Sequence, residues 1–199
     1  MTLNTSKKEL FINEYLLSSA NVLDKIINSK KYINSVIEVS RVIIKALKSE
    51  SRVYIAGNGG SAADAQHFAA ELVSRFMFDR NPLPAIALTT DSSCLTSIGN
   101  DYGFDQIFSR QLKALGQKGD VFIGISTSGK SENILQAFNI CKEKGVISIA
   151  LSGVNGMKSF DPDFLIDIPS YVTPVIQEMH LITYHMLCSM IEIDIFKEG

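Results

Sequence analysis

The sequence has no tryptophan, only three cysteines and three histidines among 199 residues, and no large excess of charge of either sign. The cysteines, at positions 94, 141 and 188, are far apart and form no CxxC pair, so neither a disulfide framework nor a thiolate zinc site is indicated. Nineteen basic residues stand against 21 acidic ones, whereas a dedicated nucleic-acid-binding protein usually has a basic excess. We therefore expect no nucleic-acid partner.

Long hydrophobic segments are also absent. No apolar run reaches the roughly 18 residues that a membrane helix needs, and the first 17 residues lack the apolar core and cleavage site of a signal peptide. Hydrophobic residues nevertheless make up 46% of the chain, which is too many for a disordered protein. We expect a cytoplasmic globular protein with no membrane partner, in which residues 1–199 form a single domain.

The first quarter of the chain has apolar residues at helical spacing. The pattern covers residues 6–49 and is interrupted near Asn28 and Ser29, which predicts two amphipathic helices joined by a short turn. The first helix is apolar on more than one face, which a solitary surface helix would avoid. We therefore interpret residues 1–50 as a helical extension that packs against another copy of the protein.

From residue 51 onward, short apolar or β-branched runs alternate with helical patterns. The runs lie at 53–56, 85–88, 121–125, 147–151 and 164–168, and the helical patterns lie near 61–77, 92–99, 104–115, 131–144 and 173–196. Such alternation predicts an α/β fold with three layers, in which a five-stranded parallel sheet is flanked by helices. Sheets of this kind bind ligands at the carboxyl ends of their strands.

Two of the predicted strands end in loops rich in glycine and serine that lead directly into helices. The first is Gly57–Ser61, and the second is Ser126–Ser131, with a threonine and three serines in six residues. Free backbone N–H groups at a helix start favour an anion, and the hydroxyl groups add donors for a phosphate. Neither loop matches GxxxxGK[ST] or GxGxxG, so nucleotide binding is not implied. An ordinary capped helix start would also explain both loops.

The histidines fall on predicted helices together with other possible metal ligands. His67 and Glu71 are four residues apart and share a helix face, and Gln177 and His185 are eight apart, about 80° around the last helix. These four side chains suit zinc or a similar ion. Each histidine taken alone is better explained as an ordinary hydrogen-bonded residue, so the spacing by itself favours that interpretation and leaves the metal site open.

Taken together, these stretches resemble the sugar isomerase (SIS) domain family and, within it, the phosphoheptose isomerases. The resemblance covers most of the chain, and its matching segments are residues 53–76, 82–112, 119–138 and 176–192. Its motifs read GNGGS, HFAxEL, GNDxGF, STSGxS and IQExH, the last followed by His185. The resemblance implies a homotetramer with active sites between subunits.

The same resemblance implies a site and a reaction. One zinc ion per subunit would be bound by His67, Glu71, Gln177 and His185. The phosphate would contact Ser126, Thr127, Ser128 and Ser131. The sugar would lie near Asn58, Gly59, Gly60, Ser61, Glu71, Asn100, Asp101 and Gln177. The reaction would convert sedoheptulose 7-phosphate to D-glycero-D-manno-heptopyranose 7-phosphate through an enediol, with Glu71 as base and His185 as its partner, as the first step of nucleotide-activated heptose biosynthesis for lipopolysaccharide or capsule.

Other members of the family suggest two alternatives. The DnaA initiator-associating protein is a tetrameric, non-catalytic member that lacks an acid at the position of Glu71 and a histidine at that of His185, and this chain has both. Sugar-phosphate-sensing regulators often add a DNA-binding segment, and residues 1–50 contain no basic recognition helix. Two positions depart from the enzyme pattern, since Lys130 replaces the commoner asparagine and Pro174 replaces an aspartate that meets the sugar.

Overall fold

The computed structural model describes residues 4–154, 156 and 160–197 of the protein. In this part of the chain, two helices precede an alternation of strands and helices. The helices are α1 (Thr5–Ile27), α2 (Lys30–Lys48), α3 (Gly60–Val73), α4 (Ser92–Tyr102), α5 (Ser109–Leu115), α6 (Glu132–Lys144) and α7 (Thr173–Phe196). The strands are β1 (Val53–Gly57), β2 (Ala85–Ala87), β3 (Val121–Ser126), β4 (Ile147–Gly153) and β5 (Phe164–Ile168).

The five strands form one parallel sheet in the order β2-β1-β3-β4-β5. Every residue of β1 and β3 is buried, as expected for central parallel strands covered by helices on both faces. The predicted α/β class and the positions of all five strands are confirmed. The strand order reverses direction between β1 and β3, which places the ligand crevice of such a sheet at the loops that follow these two strands.

Two helix predictions were wrong in detail. The segment 104–115 was expected to be one helix, but a 3₁₀ turn (Phe104–Gln106) precedes α5, and the intervening Ile107 and Phe108 are both buried. The helix expected to reach residue 77 ends at Val73, because the side chain of Arg80 takes up carbonyl groups of its last turn. Both deviations arise from long-range packing that helical periodicity does not report.

The two N-terminal helices differ in how they pack. Helix α2 buries eight residues, whereas α1 buries only Val22 and Ile26. Glu178 of α7 holds α1 by accepting hydrogen bonds of 2.6 Å from the hydroxyls of Tyr15 and Ser19. Helix α1 leaves a row of apolar side chains more than half exposed: Leu10, Phe11, Ile12, Leu16 and Leu17. Its packing against a second copy stays a prediction. Among the described helices, none combines the length and hydropathy needed to cross a bilayer.

Candidate active site

The loop after β1 is joined to the helix that follows β3 by a pair of side-chain amides. Asn58 donates to the side-chain carbonyl of Asn133 at 2.9 Å, and Asn133 donates in return at 2.8 Å. Asn133 is 2% exposed and lies in the first turn of α6. The pair fixes the Gly57–Ser61 loop to the start of α6 across the point where the strand order reverses. Sequence reasoning placed Asn58 near the sugar and missed Asn133, since the two residues are 75 positions apart.

The second loop forms part of a small cavity at the carboxyl end of β3. The cavity has a volume of about 180 Å³ and is lined by the loop and by the start of α7: Thr127, Ser128, Lys130, Val154, Ser170, Tyr171, Thr173 and Ile176. Thr127 and Ser128, predicted phosphate contacts, therefore face it together with Lys130. The other two predicted contacts, Ser126 and Ser131, are hydrogen-bonded to each other at 2.8 Å.

Glycine is needed at the turn of this loop. Gly129 has φ +66°, a conformation that a residue with a side chain rarely adopts, and a Cβ atom there would meet the carbonyl oxygen of Gly156. The chain therefore brings this loop close to Gly156, which follows β4.

A larger cavity lies away from these loops. It has a volume of about 730 Å³ and is bounded by residues at the amino ends of the strands, among them Gly119, Ile147 and Phe164. Its lysines, Lys45 and Lys142, are in the last turns of α2 and α6, where a cation offsets the partial negative charge of a helix end. We therefore place the site at the carboxyl edge of the sheet.

Three of the four predicted metal ligands meet between α3 and α7. Possible ligand atoms of His67, Glu71 and His185 all lie within 4.8 Å of one another. His67 Nε2 lies 2.8 Å from Glu71 Oε1, and His67 Nδ1 lies 2.9 Å from the hydroxyl of Tyr184. The tautomer of the His67 ring decides which of these two contacts it donates and which it accepts. Tyr184 therefore orients the His67 ring, as outer partners of metal-ligating histidines do.

The surroundings of His185 are those of a possible metal ligand. Its Nε2 atom is buried and has no hydrogen-bond partner among the described residues, although the His67 ring lies 5.2 Å away, edge to face. Burial lowers the pKa of His185, the neighbouring His67 lowers it further, and Glu71 acts in the opposite direction. An imidazole with an unpaired nitrogen, beside a second histidine and a carboxylate, is a donor set that fits zinc.

Asp64 is a titratable residue of this region that the sequence interpretation missed. It lies one helical turn before His67, and its buried Oδ2 atom has no hydrogen-bond partner in the part of the chain that the structure describes. Burial raises the pKa of Asp64 to about 6, against a smaller lowering by His67. The spacing of three residues before a histidine on the same helix was the one signal that could have identified it.

Two further polar residues of α7, Gln177 and His180, lie in different surroundings. Gln177 lies against the first turn of α3, so close that a Cβ atom on Gly60 would stand 2.5 Å from its Nε2 atom. His180, in contrast, is fully buried, and its Nε2 lies 3.2 Å from the carbonyl oxygen of Ser152. Burial lowers the pKa of His180 to about 4, so this residue is neutral and belongs to the core.

The structure gives the surroundings of four further predicted sugar contacts, but it contains no sugar that would test them. Gly59 has φ +56° just before α3, and Ser61 is buried with its N–H on the carbonyl oxygen of Asn58. Asn100 donates to Asp101 at 2.7 Å, and both are exposed near the end of α4. Their contacts with a sugar stay predictions.

Comparison with known proteins shows the family to which the chain belongs. A family model described as the SIS domain matches residues 14–153. The chain is 48% identical over 190 residues to a phosphoheptose isomerase of Sulfurimonas denitrificans, covering 95% of this chain and 97% of that one. It is 49% identical over 190 residues to phosphoheptose isomerase 2 of Campylobacter jejuni, covering 95% and 94%.

Solved structures give the same result. A phosphoheptose isomerase from Neisseria gonorrhoeae matches with a TM-score of 0.85 and 38% identity, over 92% of this chain and 98% of that one. A phosphoheptose isomerase from Francisella tularensis matches with a TM-score of 0.87 and 35% identity, over 96% and 98%.

Proposed function

The chain belongs to the SIS domain family and is a sugar-phosphate isomerase, and we propose that it converts sedoheptulose 7-phosphate to D-glycero-D-manno-heptopyranose 7-phosphate. The observation that carries this proposal is the His67–Glu71–His185 cluster, within 4.8 Å, between the helices that begin at the ligand-binding edge of the sheet. The substrate is taken from the names of the relatives. They give no support to the alternative of a non-catalytic DnaA-binding protein.

Isomerisation of a ketose to an aldose moves a proton from C1 to C2. Glu71 is suited to both transfers, because one carboxylate can take the C1 proton and return it to C2 on the same face of a planar enediol. Because Glu71 is also a proposed metal ligand, one of its two oxygens would bind the metal and the other would take the substrate proton. His185 would act as the partner of Glu71 at the substrate oxygens, where O2 gains a proton as the enediol forms and O1 loses one as it collapses.

We propose one zinc ion per subunit as the cofactor, held by His67, Glu71, Gln177 and His185. When bound, it would polarise the substrate carbonyl and stabilise negative charge on the enediol oxygens. The buried, unpaired Nε2 atom of His185 supports this assignment. Tyr184 would support His67 from its other ring nitrogen.

The far end of the substrate would be held by the loop after β3. Thr127, Ser128 and Lys130 face the cavity there, and the amino ends of α6 and α7 favour an anion. Holding the phosphate contributes orientation rather than chemistry, because it fixes C1 and C2 relative to Glu71. We further propose a cytoplasmic homotetramer in which the exposed apolar row of α1 is covered by other subunits, and a product that supplies heptose for a surface glycan.

The experiment that tests the proposal is incubation with sedoheptulose 7-phosphate, with product analysis by NMR, before and after removal of metal by a chelator. We expect turnover that chelation abolishes and added zinc restores. Glu71→Gln should bind the sugar phosphate but lose about 10³-fold in kcat, in line with the loss of a general base. The matched control is Glu143→Gln, an exposed glutamate of α6, which should behave as the wild type. Near-normal kcat in Glu71→Gln, or a rate unaffected by exhaustive chelation, would contradict the mechanism.

A further inference from the structure

A buried ion pair joins the segment after α3 to the last helix. Arg80 Nε donates to Glu192 Oε1 at 3.0 Å, and the two side chains are 2% and 1% exposed. Glu192 also accepts the backbone N–H groups of Phe76 at 2.9 Å and Met77 at 2.7 Å. One carboxylate of α7 therefore holds both the guanidinium of Arg80 and the chain that leads to it.

The remaining N–H groups of Arg80 reach back to the end of α3. Nη2 donates to the carbonyl oxygen of Glu71 at 2.8 Å, and Nη1 lies within hydrogen-bonding distance of the carbonyl oxygens of Leu72 (2.8 Å) and Ser74 (3.1 Å). The last carbonyl groups of a helix have no partner within it. Arg80 supplies these partners and at the same time anchors the helix end to Glu192.

The two helices joined by this pair are the ones that present the candidate catalytic residues. Glu71 is itself one of the residues whose carbonyl group Arg80 binds. Glu192 follows His185 by seven residues on α7, so the two side chains share a helix face two turns apart. Phe76, whose N–H group Glu192 holds, packs its ring 5.3 Å from the ring of His185. The ion pair thus contacts the backbone of Glu71 on α3 and, through Phe76, the ring of His185 on α7.

A buried ion pair of this kind need not increase the free energy of unfolding. Two charges withdrawn from water lose solvation that their attraction does not fully restore, and an apolar pair of similar size is often as stable or more so. A guanidinium fork, however, has a fixed geometry that an apolar contact lacks. We infer that Arg80 is a positioning residue for the isomerase reaction, which through Glu192 fixes the distance between Glu71 on α3 and His185 on α7. This inference rests on the roles proposed above for those two residues.

The principal test is the double variant Arg80→Met/Glu192→Met, which removes both charges without leaving one buried and unpaired. We expect a folded protein with a lower melting temperature than the wild type, because the backbone groups that Arg80 and Glu192 bind lose their partners. Zinc affinity, measured by titration against a competing chelator, should fall at least tenfold. In turnover, kcat should fall between tenfold and 100-fold, while KM changes less than threefold because the phosphate loop is elsewhere. Arg80→Lys keeps the charge without the fork and should recover only part of kcat.

The matched control removes an ion pair that lies outside the site. Lys31→Met/Asp167→Asn abolishes the exposed pair between Lys31 and Asp167 and should leave zinc affinity and kcat unchanged. If the double methionine variant does not fold, Glu192→Gln, which preserves volume and one acceptor, replaces it. Wild-type zinc affinity and wild-type kcat in a folded variant would overturn the inference.

The histidines provide a readout that needs neither zinc nor substrate. The chain has three, so ¹⁵N imidazole spectra of the metal-free protein report each one. In the double variant the resonances of His67 and His185 should move, while that of His180, which binds Ser152 in the core, should stay. Unmoved resonances would refute the positioning role. A wild-type protein that neither binds zinc nor isomerises the sugar would refute the proposed function instead, with the spectra still deciding the role of Arg80.

Discussion

The contact between Gly60 and Gln177 allows a functional effect to be separated from a structural one. Gly60 has no side chain, and Gln177, on which we propose both metal and substrate to depend, fills the space where one would be. A Cβ atom at position 60 would lie 2.5 Å from Gln177 Nε2 and 3.1 Å from its Oε1. Gly60→Ala therefore cannot leave the amide where it is.

The size of the effect follows from that distance. Ordinary van der Waals contact begins near 3.4 Å, so the Nε2 atom must retreat by about 0.9 Å. The amide is the far end of a flexible side chain and Gly60 lies in the first turn of a helix, so the fold should tolerate the change, and alanine lowers the entropy of the unfolded chain. Misplacement of a group in an active site by about 1 Å can cost about 100-fold in rate, which corresponds to about 2.7 kcal/mol of transition-state stabilisation.

The assay is steady-state isomerisation of sedoheptulose 7-phosphate together with thermal unfolding. We expect Gly60→Ala to retain the melting temperature of the wild type and lose about 100-fold in kcat/KM. Gly99→Ala is the control, since a Cβ atom there meets only Ile107 at 3.8 Å. Because Gly60→Ala acts through Gln177, combining it with Gln177→Ala should cost little more than Gln177→Ala alone. A loss below threefold, or losses that simply add, would refute the reasoning.

Two further predictions concern buried polar groups. The His180 imidazole has a pKa of about 4 in the folded protein and about 6.5 in the unfolded chain. As the pH falls, the unfolded state therefore binds the proton first, and the free energy of unfolding decreases between pH 6.5 and pH 4. Between pH 7 and pH 5 this decrease is about 2 kcal/mol. His180→Gln should remove that part of the pH dependence in urea unfolding, and equal slopes for variant and wild type would exclude it. Asn133→Ala should lower the free energy of unfolding by about 1–3 kcal/mol, because the amide of Asn58 loses its partner. The double variant Asn58→Ala/Asn133→Ala should be no less stable than Asn133→Ala alone. Strict additivity of the two losses would argue against the paired amides.

Local patterns in the sequence were sufficient for most of the fold. Alternation of apolar runs with helical patterns predicted all five strands, and glycine-rich loops marked the carboxyl ends of β1 and β3. The resemblance to the SIS domain family was confirmed by the matching family model and by relatives of about 48% identity. The proximity of His67 to Glu71 was also predictable, because four residues on one helix fix it. The assignment of zinc, the tetramer and the sugar remain proposals.

The sequence by itself determined the order of the elements and the chemical inventory of the site, since periodicity and spacing act within one helix, strand or loop. The tertiary structure decided which distant residues meet. It alone brought His185 to His67, paired Asn58 with Asn133, and ended α3 early by binding its carbonyl groups to Arg80. Burial also depends on the whole fold: it leaves His185 Nε2 without a partner among residues 4–154, 156 and 160–197, and it raises the pKa of Asp64 to about 6. Spacing and the family resemblance singled out His67 and His185, and the structure adds the physical difference: His180 is buried in the core against Ser152, whereas the other two meet Glu71.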